Sequence, residues 1–158
     1  MPAALDATRH RVLFVCSSGG HLAQLYRLED WWRSQHRMWV TFDKPDAVSL
    51  LATEQVRWAH HPTTRSAKNL LRNLWLALRV LHRDRPDVVI SNGAGVALPF
   101  FLVARALRRP TVYLEVYDRI DSPTLTGRLC RPFTTLFCVQ WPEQQRFYRN
   151  SVVVGPVL

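Results

Sequence analysis

The stretch RVLFVCSSGGHLAQL occupies residues 11–25. It opens on a continuous apolar run, VLFVC, passes through Ser17, Ser18, Gly19 and Gly20, and resumes with Leu22 and Leu25. A short apolar run without alternation reads as a strand covered on both faces, as in a parallel sheet. Leucines at three- and four-residue spacing read as a helix. The segment is therefore a strand, a small-residue turn and a helix, the opening unit of an α/β fold.

The same unit recurs along the 158-residue chain. Strand-like runs lie at 11–16, 38–42, 56–60, 87–91, 111–116, 135–140 and 152–154, with helical patterns at 21–34, 67–83 and 96–107. The last helix is apolar nearly all round, so it should be buried. Pro86, Pro110 and Pro132 stand at helix-to-strand junctions, where a missing N–H does no harm. The alternation predicts a Rossmann-like, doubly wound, mainly parallel sheet in one domain over 1–158, with residues 1–9 flexible.

The chain is 47% hydrophobic and 21% charged, which suits a folded domain rather than a disordered one. Its net charge of +9 is carried almost wholly by arginine, Lys44 and Lys68 being the only lysines, and favours anionic partners. No nucleic-acid-binding motif accompanies the charge, so nucleic acid is not an expected partner. Three cysteines, Cys16, Cys130 and Cys138, have no metal-type spacing and read as buried thiols in a reducing compartment. No leader pattern is evident, and the longest apolar run, 94–107, is broken by Arg105. The expectation is a cytoplasmic protein.

In doubly wound sheets ligands bind beyond the carboxyl ends of the strands. The turn at 16–21 admits several chemistries there. A cysteine phosphatase needs an arginine six residues after the thiol, and that position is Leu22. A dinucleotide loop needs G-x-G-x-x-G, and SSGGHL lacks it; Asp43 after the second strand does not replace it. The lysine-bearing phosphate loop and the serine elbow are also absent. What remains is an anion seat in which Ser18, Gly19 and Gly20 open a helix and His21 donates to a phosphate or accepts a proton. A plain glycine turn is the alternative.

SNGAGVALP repeats the design, with Asn92, Gly93, Ala94 and Gly95 between a strand and a helix. In YLEVYDRIDSPTLTG, Glu115 ends an apolar strand. A carboxylate there can bind sugar hydroxyls, act as a base, or pair with Arg119 or Arg128.

SSGGHLAQL, PTTRSAKNLLRNL, RPDVVISNGAGVALPF, YLEVYDRIDSPTLTGRL and FCVQWPEQQRFY, in this order, resemble the GT-B glycosyltransferases of the MurG type. The resemblance is closer to the split, two-subunit branch. That branch holds the PssD-like proteins of bacterial polysaccharide and exopolysaccharide biosynthesis and the membrane-anchored subunit of the dolichol-linked N-acetylglucosaminyltransferase. It implies that the chain is the N-terminal, acceptor-binding half of a GT-B fold. A separate subunit like the MurG C-terminal half would then hold the UDP-sugar. The acceptor would be a polyprenyl-diphosphate-linked saccharide. Carried over by position, Ser18, Gly19, Gly20, Asn92, Gly93, Ala94, Gly95, Arg119, Ser122 and Thr124 surround the acceptor diphosphate. His21 and then Glu115 are candidate bases for an inverting transfer. Gly127, Gln140 and Trp141 continue the likeness, while Val116 and Asp118 depart from it. No cofactor or metal is expected. The leucines and arginines of 67–83, among them Arg72, Arg79 and Arg83, suggest a face that rests on the inner surface of the cell membrane. Two alternatives stay open: a non-catalytic anchor or activator of a partner transferase, and an unrelated small Rossmann nucleotide-binding protein.

Overall fold

The computed structural model describes residues 9–157. Of the opening segment expected to be flexible, only Arg9 lies within them.

Seven strands form one sheet in the order β3-β2-β1-β4-β5-β6-β7. They are β1 (Arg11–Val15), β2 (His36–Phe42), β3 (Val56–Ala59), β4 (Val88–Ser91), β5 (Thr111–Leu114), β6 (Leu136–Val139) and β7 (Val152–Val153). Every pairing is parallel. The helices are α1 (Gly20–Tyr26), α2 (Glu29–Trp32), α3 (Pro45–Leu50), α4 (Ala67–Asp84), α5 (Ala97–Ala106) and α6 (Leu125–Cys130). Short 3-10 turns cover Arg131–Phe133 and Pro142–Arg146.

The pleat divides the core in two. Leu13, Val15, Val40, Val89, Tyr113 and Phe137 face one side with Ala77 and Leu81 of α4 and Phe100 and Phe101 of α5. Val12, Phe14, Trp39, Ile90 and Leu114 face the other with Leu22 and Leu25 of α1, Trp32 of α2 and Ala47 of α3. This is the doubly wound parallel sheet read from the sequence, and α5 is buried as its composition required.

The helix expected over 21–34 is two helices. The chain breaks after Tyr26, and the Trp32 indole N–H takes up the carbonyls of Leu25 and Tyr26, each at 3.2 Å. The leucine spacing survives because both pieces pack on the same sheet face. Helix α4 runs as expected. Ser66 caps it by accepting from the Asn69 N–H at 3.3 Å, and it stops at Arg85, in the left-handed region (φ 45°), before Pro86.

The strand order reverses between β1 and β4. The loops that leave these two strands run in opposite directions and open a crevice between them, where doubly wound folds bind ligands.

Candidate functional site

His21 and Asn92 meet across that crevice. His21 stands in the first turn of α1, and Asn92 follows β4 directly. The His21 Nδ1 lies 3.1 Å from the backbone oxygen of Asn92, and the Asn92 side-chain amide donates back to the His21 carbonyl at 2.8 Å. A carbonyl only accepts, so Nδ1 carries the proton and Nε2 carries the lone pair. Among the described residues Nε2 has no hydrogen-bond partner, and His21 lines a cleft of about 230 Å3. Burial pulls the His21 pKa below its ordinary value, while the Asn92 hydrogen bonds and the charges of Asp118 and Glu115 oppose the shift. The ring is thus held neutral near pH 7, with Nε2 its basic nitrogen.

The loop after β4 supplies one wall, through Asn92, Gly93 and Ala94. Its glycines are committed to packing. Gly93 has φ 115°, and a Cβ there would lie 2.8 Å from the Tyr113 hydroxyl and 3.4 Å from His21 Cε1. A Cβ on Gly95 would lie 2.9 Å from the Thr63 side chain. Thr63 is brought there by the loop between β3 and α4, which Asn69 and Asn73 secure by donating to the carbonyls of Pro62 (2.8 Å) and His60 (2.9 Å).

The loop between β5 and α6 supplies the facing wall: Val116, Asp118, Arg119, Thr124 and Thr126. Arg119 is exposed and forms no ion pair among the described residues, so its guanidinium is available to an anion. Ser122 is exposed and does not line the cleft.

Glu115 lies behind this wall with 0% exposure. Its carboxyl oxygens accept from the Val116 N–H (3.0 Å), the Thr124 N–H (3.3 Å), the Thr124 hydroxyl (3.0 Å) and the Tyr148 hydroxyl. It pairs with neither Arg119 nor Arg128. Its charge adds to burial in raising the pKa values of Tyr113 and Tyr148 and in bringing that of Cys130 to about 12. Thr124 both donates to Glu115 and caps α6 through the Gly127 N–H at 3.0 Å.

The first glycine pair stands apart from the cleft. Gly19 and Gly20 are exposed, and nothing lies within 4 Å of a Cβ built on either. The Gly19 N–H donates to the Asp46 carboxylate of α3 at 2.6 Å, so a protein carboxylate already holds one donor of the expected anion seat. Ser18 is half-buried and does not line the cleft. Cys16 is buried, and burial pushes its thiol up to about 12, as expected of an inert core cysteine. A larger hollow, about 370 Å3, lies at the amino ends of β1 and β2. It holds none of these loops, and its Arg11 and Arg37 are paired with Asp87 and Glu54.

Asp46, Tyr113, Tyr148 and Gln24 complete the site and were not singled out from sequence. Tyr148 and Asp46 carry no local signal, because their partners are 33 and 27 residues away. Among the described residues no group of three or more His, Cys, Asp or Glu side chains is gathered as a metal site.

Comparison with known proteins adds what the fold alone does not carry. A family described as "Oligosaccharide biosynthesis protein Alg14 like" matches residues 33–157. The chain is similar to the UDP-N-acetylglucosamine transferase subunit ALG14 of Rattus norvegicus, with 25% identity over 178 aligned residues, covering 93% of this chain and 82% of that protein. It is also similar to the UDP-N-acetylglucosamine--N-acetylmuramyl-(pentapeptide) pyrophosphoryl-undecaprenol N-acetylglucosamine transferase of Geobacillus kaustophilus. That likeness is 32% identical over 92 residues, 57% of this chain and 25% of that protein. Among solved structures, MurG of Acinetobacter baumannii has the same fold, with a TM-score of 0.76 at 18% identity over 94% of this chain and 46% of that one. The chain thus spans about half the MurG length. A UDP-N-acetylglucosamine 2-epimerase from Rickettsia bellii shares the fold at a TM-score of 0.70 and 12% identity, covering 88% of this chain and 41% of that one.

Proposed function

This chain belongs to the Alg14-like family of oligosaccharide biosynthesis proteins, and on that premise we propose that it is the acceptor-binding subunit of a two-component glycosyltransferase. The acceptor is a polyprenyl-diphosphate-linked saccharide, and a donor-binding partner subunit brings the UDP-sugar. The observation that carries this reading is the neutral His21 ring, fixed through Nδ1 to the Asn92 carbonyl and lining the cleft.

In this reading a hydroxyl of the acceptor sugar attacks the anomeric carbon of the donor with inversion. His21 Nε2 takes the hydroxyl proton as the new bond forms. Arg119, free of ion pairs among the described residues, meets the anionic diphosphate from the facing wall. Glu115 has every carboxyl oxygen engaged behind the cleft, so its part is to hold the wall that carries Asp118 and Arg119. Ser18, Gly19, Gly20 and Ser122 lie outside the cleft and fit a longer contact with the acceptor, once Asp46 yields the Gly19 N–H.

Membrane contact falls to α4 in this proposal. Leu71 and Trp75 are 66% and 63% exposed, and Leu70, Leu78 and Leu107 are exposed beside them. Arg79 lies over the Trp75 ring at 5.9 Å, and Arg83 borders a surface hollow of about 450 Å3 that Trp75, Leu78 and Leu107 also line. An apolar strip rimmed by arginine fits the headgroup region of an anionic bilayer. No helix among the described residues is long and apolar enough to cross a membrane.

A second reading makes the chain a non-catalytic activator. It is favoured by the likeness, over 93% of this chain, to ALG14, a protein named as a subunit of a transferase. The test is transfer of sugar to a lipid-diphosphate acceptor by the chain with its donor-binding partner. His21→Ala and His21→Gln should lower the rate by roughly a hundredfold or more with the complex intact, the usual worth of a general base. An unchanged rate overturns the catalytic reading in favour of the activator.

A further inference from the structure

Two buried glutamines hold the backbone of one residue, Val157, between them. Gln24 of α1 is 6% exposed and Gln140, after β6, is 1% exposed. Gln24 Nε2 donates to the Val157 carbonyl at 3.2 Å, and the Val157 N–H donates to Gln140 Oε1 at 2.7 Å. The far end of each amide runs to the site. Gln24 Oε1 accepts from the Asn92 amide at 3.2 Å, and Gln140 Nε2 donates to the Glu115 carbonyl at 2.9 Å. Residues 154–157 therefore cross the carboxyl edge of the sheet and join the His21 wall to the Glu115 wall.

The Asn92 amide depends on this stitch. Its nitrogen donates to His21 O and to Gln24 Oε1, while its buried Oδ1 has no partner among the described residues. Gln24 is thus one of two hydrogen bonds that fix the amide, and Asn92 in turn fixes both the backbone and the ring of His21. An apolar residue beside Leu22 and Leu25 would fill the same space without burying a polar group.

We propose that Gln24 is a positioning residue for His21, and that through it the seating of residues 154–157 governs the alignment of the ring. The proposal rests on His21 as the base for its catalytic consequence, while its structural core is independent of that reading. Movement of the segment pulls on Gln24, releases the Asn92 amide and loosens the Nδ1–H contact. The charged and titratable groups around the ring are Tyr113 of β5, and Glu115, Asp118 and Arg119 from the chain that follows it.

The test is imidazole nitrogen NMR on the full chain, with transfer measured in the presence of the donor-binding partner. Gln24→Met removes both amide bonds. Gln24→Glu keeps an oxygen for Asn92 but cannot donate to Val157. Both variants should move His21 from the Nδ1–H tautomer toward a mixture, the first further than the second. The His21 titration should rise toward the ordinary histidine value, carrying the acid limb of the rate profile upward. With Gln24→Met, kcat should fall about tenfold to a hundredfold while KM stays within about twofold, the loss expected from a misplaced group. A folded Gln24→Met protein with an unchanged His21 spectrum and titration overturns the proposal. If that variant fails to fold, Gln24→Glu decides, and a spectrum like the wild type overturns the link to residues 154–157. Full activity in His21→Ala would sink the base reading and leave the spectral test standing.

Discussion

Replacing Glu115 with glutamine separates a structural carboxyl from a chemical one. Four donors converge on the wild-type group: two backbone N–H groups, from Val116 and Thr124, and the hydroxyls of Thr124 and Tyr148. Glutamine must turn an NH2 toward one side. Toward Oε1 it faces the Val116 N–H; toward Oε2 it faces the Thr124 N–H and the Tyr148 hydroxyl. The first placement is the less costly and orphans one buried donor, at about 1–3 kcal/mol. The remaining bonds lose their charge-assisted strength, about half of each. The sum is roughly 2–4 kcal/mol, or about 5–15 °C in melting temperature for a chain of this size. Tyr148→Phe removes a single donor and should cost about a third as much. Thermal unfolding by circular dichroism reads both. Below its melting temperature, Glu115→Gln should retain more activity than loss of a general base allows, less than about a hundredfold down. A variant that melts with the wild type yet transfers no sugar would refute this reasoning and make Glu115 the base.

A Cβ on Gly127 would lie 2.5 Å from the Tyr148 hydroxyl, 2.7 Å from Glu115 Oε2 and 2.8 Å from Thr124 Oγ1. Gly127→Ala should therefore lower the melting temperature despite about 1 kcal/mol of helix propensity, since overpacking a bonded network costs about 1–3 kcal/mol. Gly20→Ala, with nothing within 4 Å, should not lower it; equal losses at both positions would contradict the packing argument. Because the folded-state pKa of His21 is lowered, the unfolded chain binds the proton more tightly. The contribution of His21 is complete above the unfolded value, about 6.5, and is lost as pH falls below it. Urea unfolding from pH 7.5 to 5 should show a steeper loss in wild type than in His21→Gln; parallel slopes would refute the burial of the neutral ring. Trp75→Glu should weaken binding to anionic liposomes by about tenfold through the lost anchor and the added charge, and unchanged co-sedimentation would remove α4 from the membrane face.

The fold was legible because parallel strands buried on both faces leave continuous apolar runs, and β1, β4 and β6 each carry one. Elements of about one turn carry too little periodicity to show. Helix α3 spans Pro45–Leu50 and α6 spans Leu125–Cys130, six residues each, and neither is among the helical patterns at 21–34, 67–83 and 96–107. The break after Tyr26 was hidden for another reason. Its freed carbonyls are satisfied by the Trp32 indole, a residue that the helical pattern itself had claimed.

At the site, residue type located the loops, but only pairwise geometry assigns the work within them. Gly19 and Gly93 look alike in sequence and both have positive φ, yet one faces open space and the other is pressed against Tyr113 and His21. His21 and Glu115 were both candidate bases on chemical type. Among the described residues His21 has one committed nitrogen and one unbonded, and Glu115 has no uncommitted oxygen. Gln24 lies inside SSGGHLAQL without standing out, because a polar residue on an amphipathic helix is ordinarily a solvated one. Its burial follows from Asn92, 68 residues on, and Val157, 133 residues on. In the proposed transfer the tautomer of His21 is set by its contact with Asn92, which the meeting of β1 and β4 at the switch point creates, and not by any single loop.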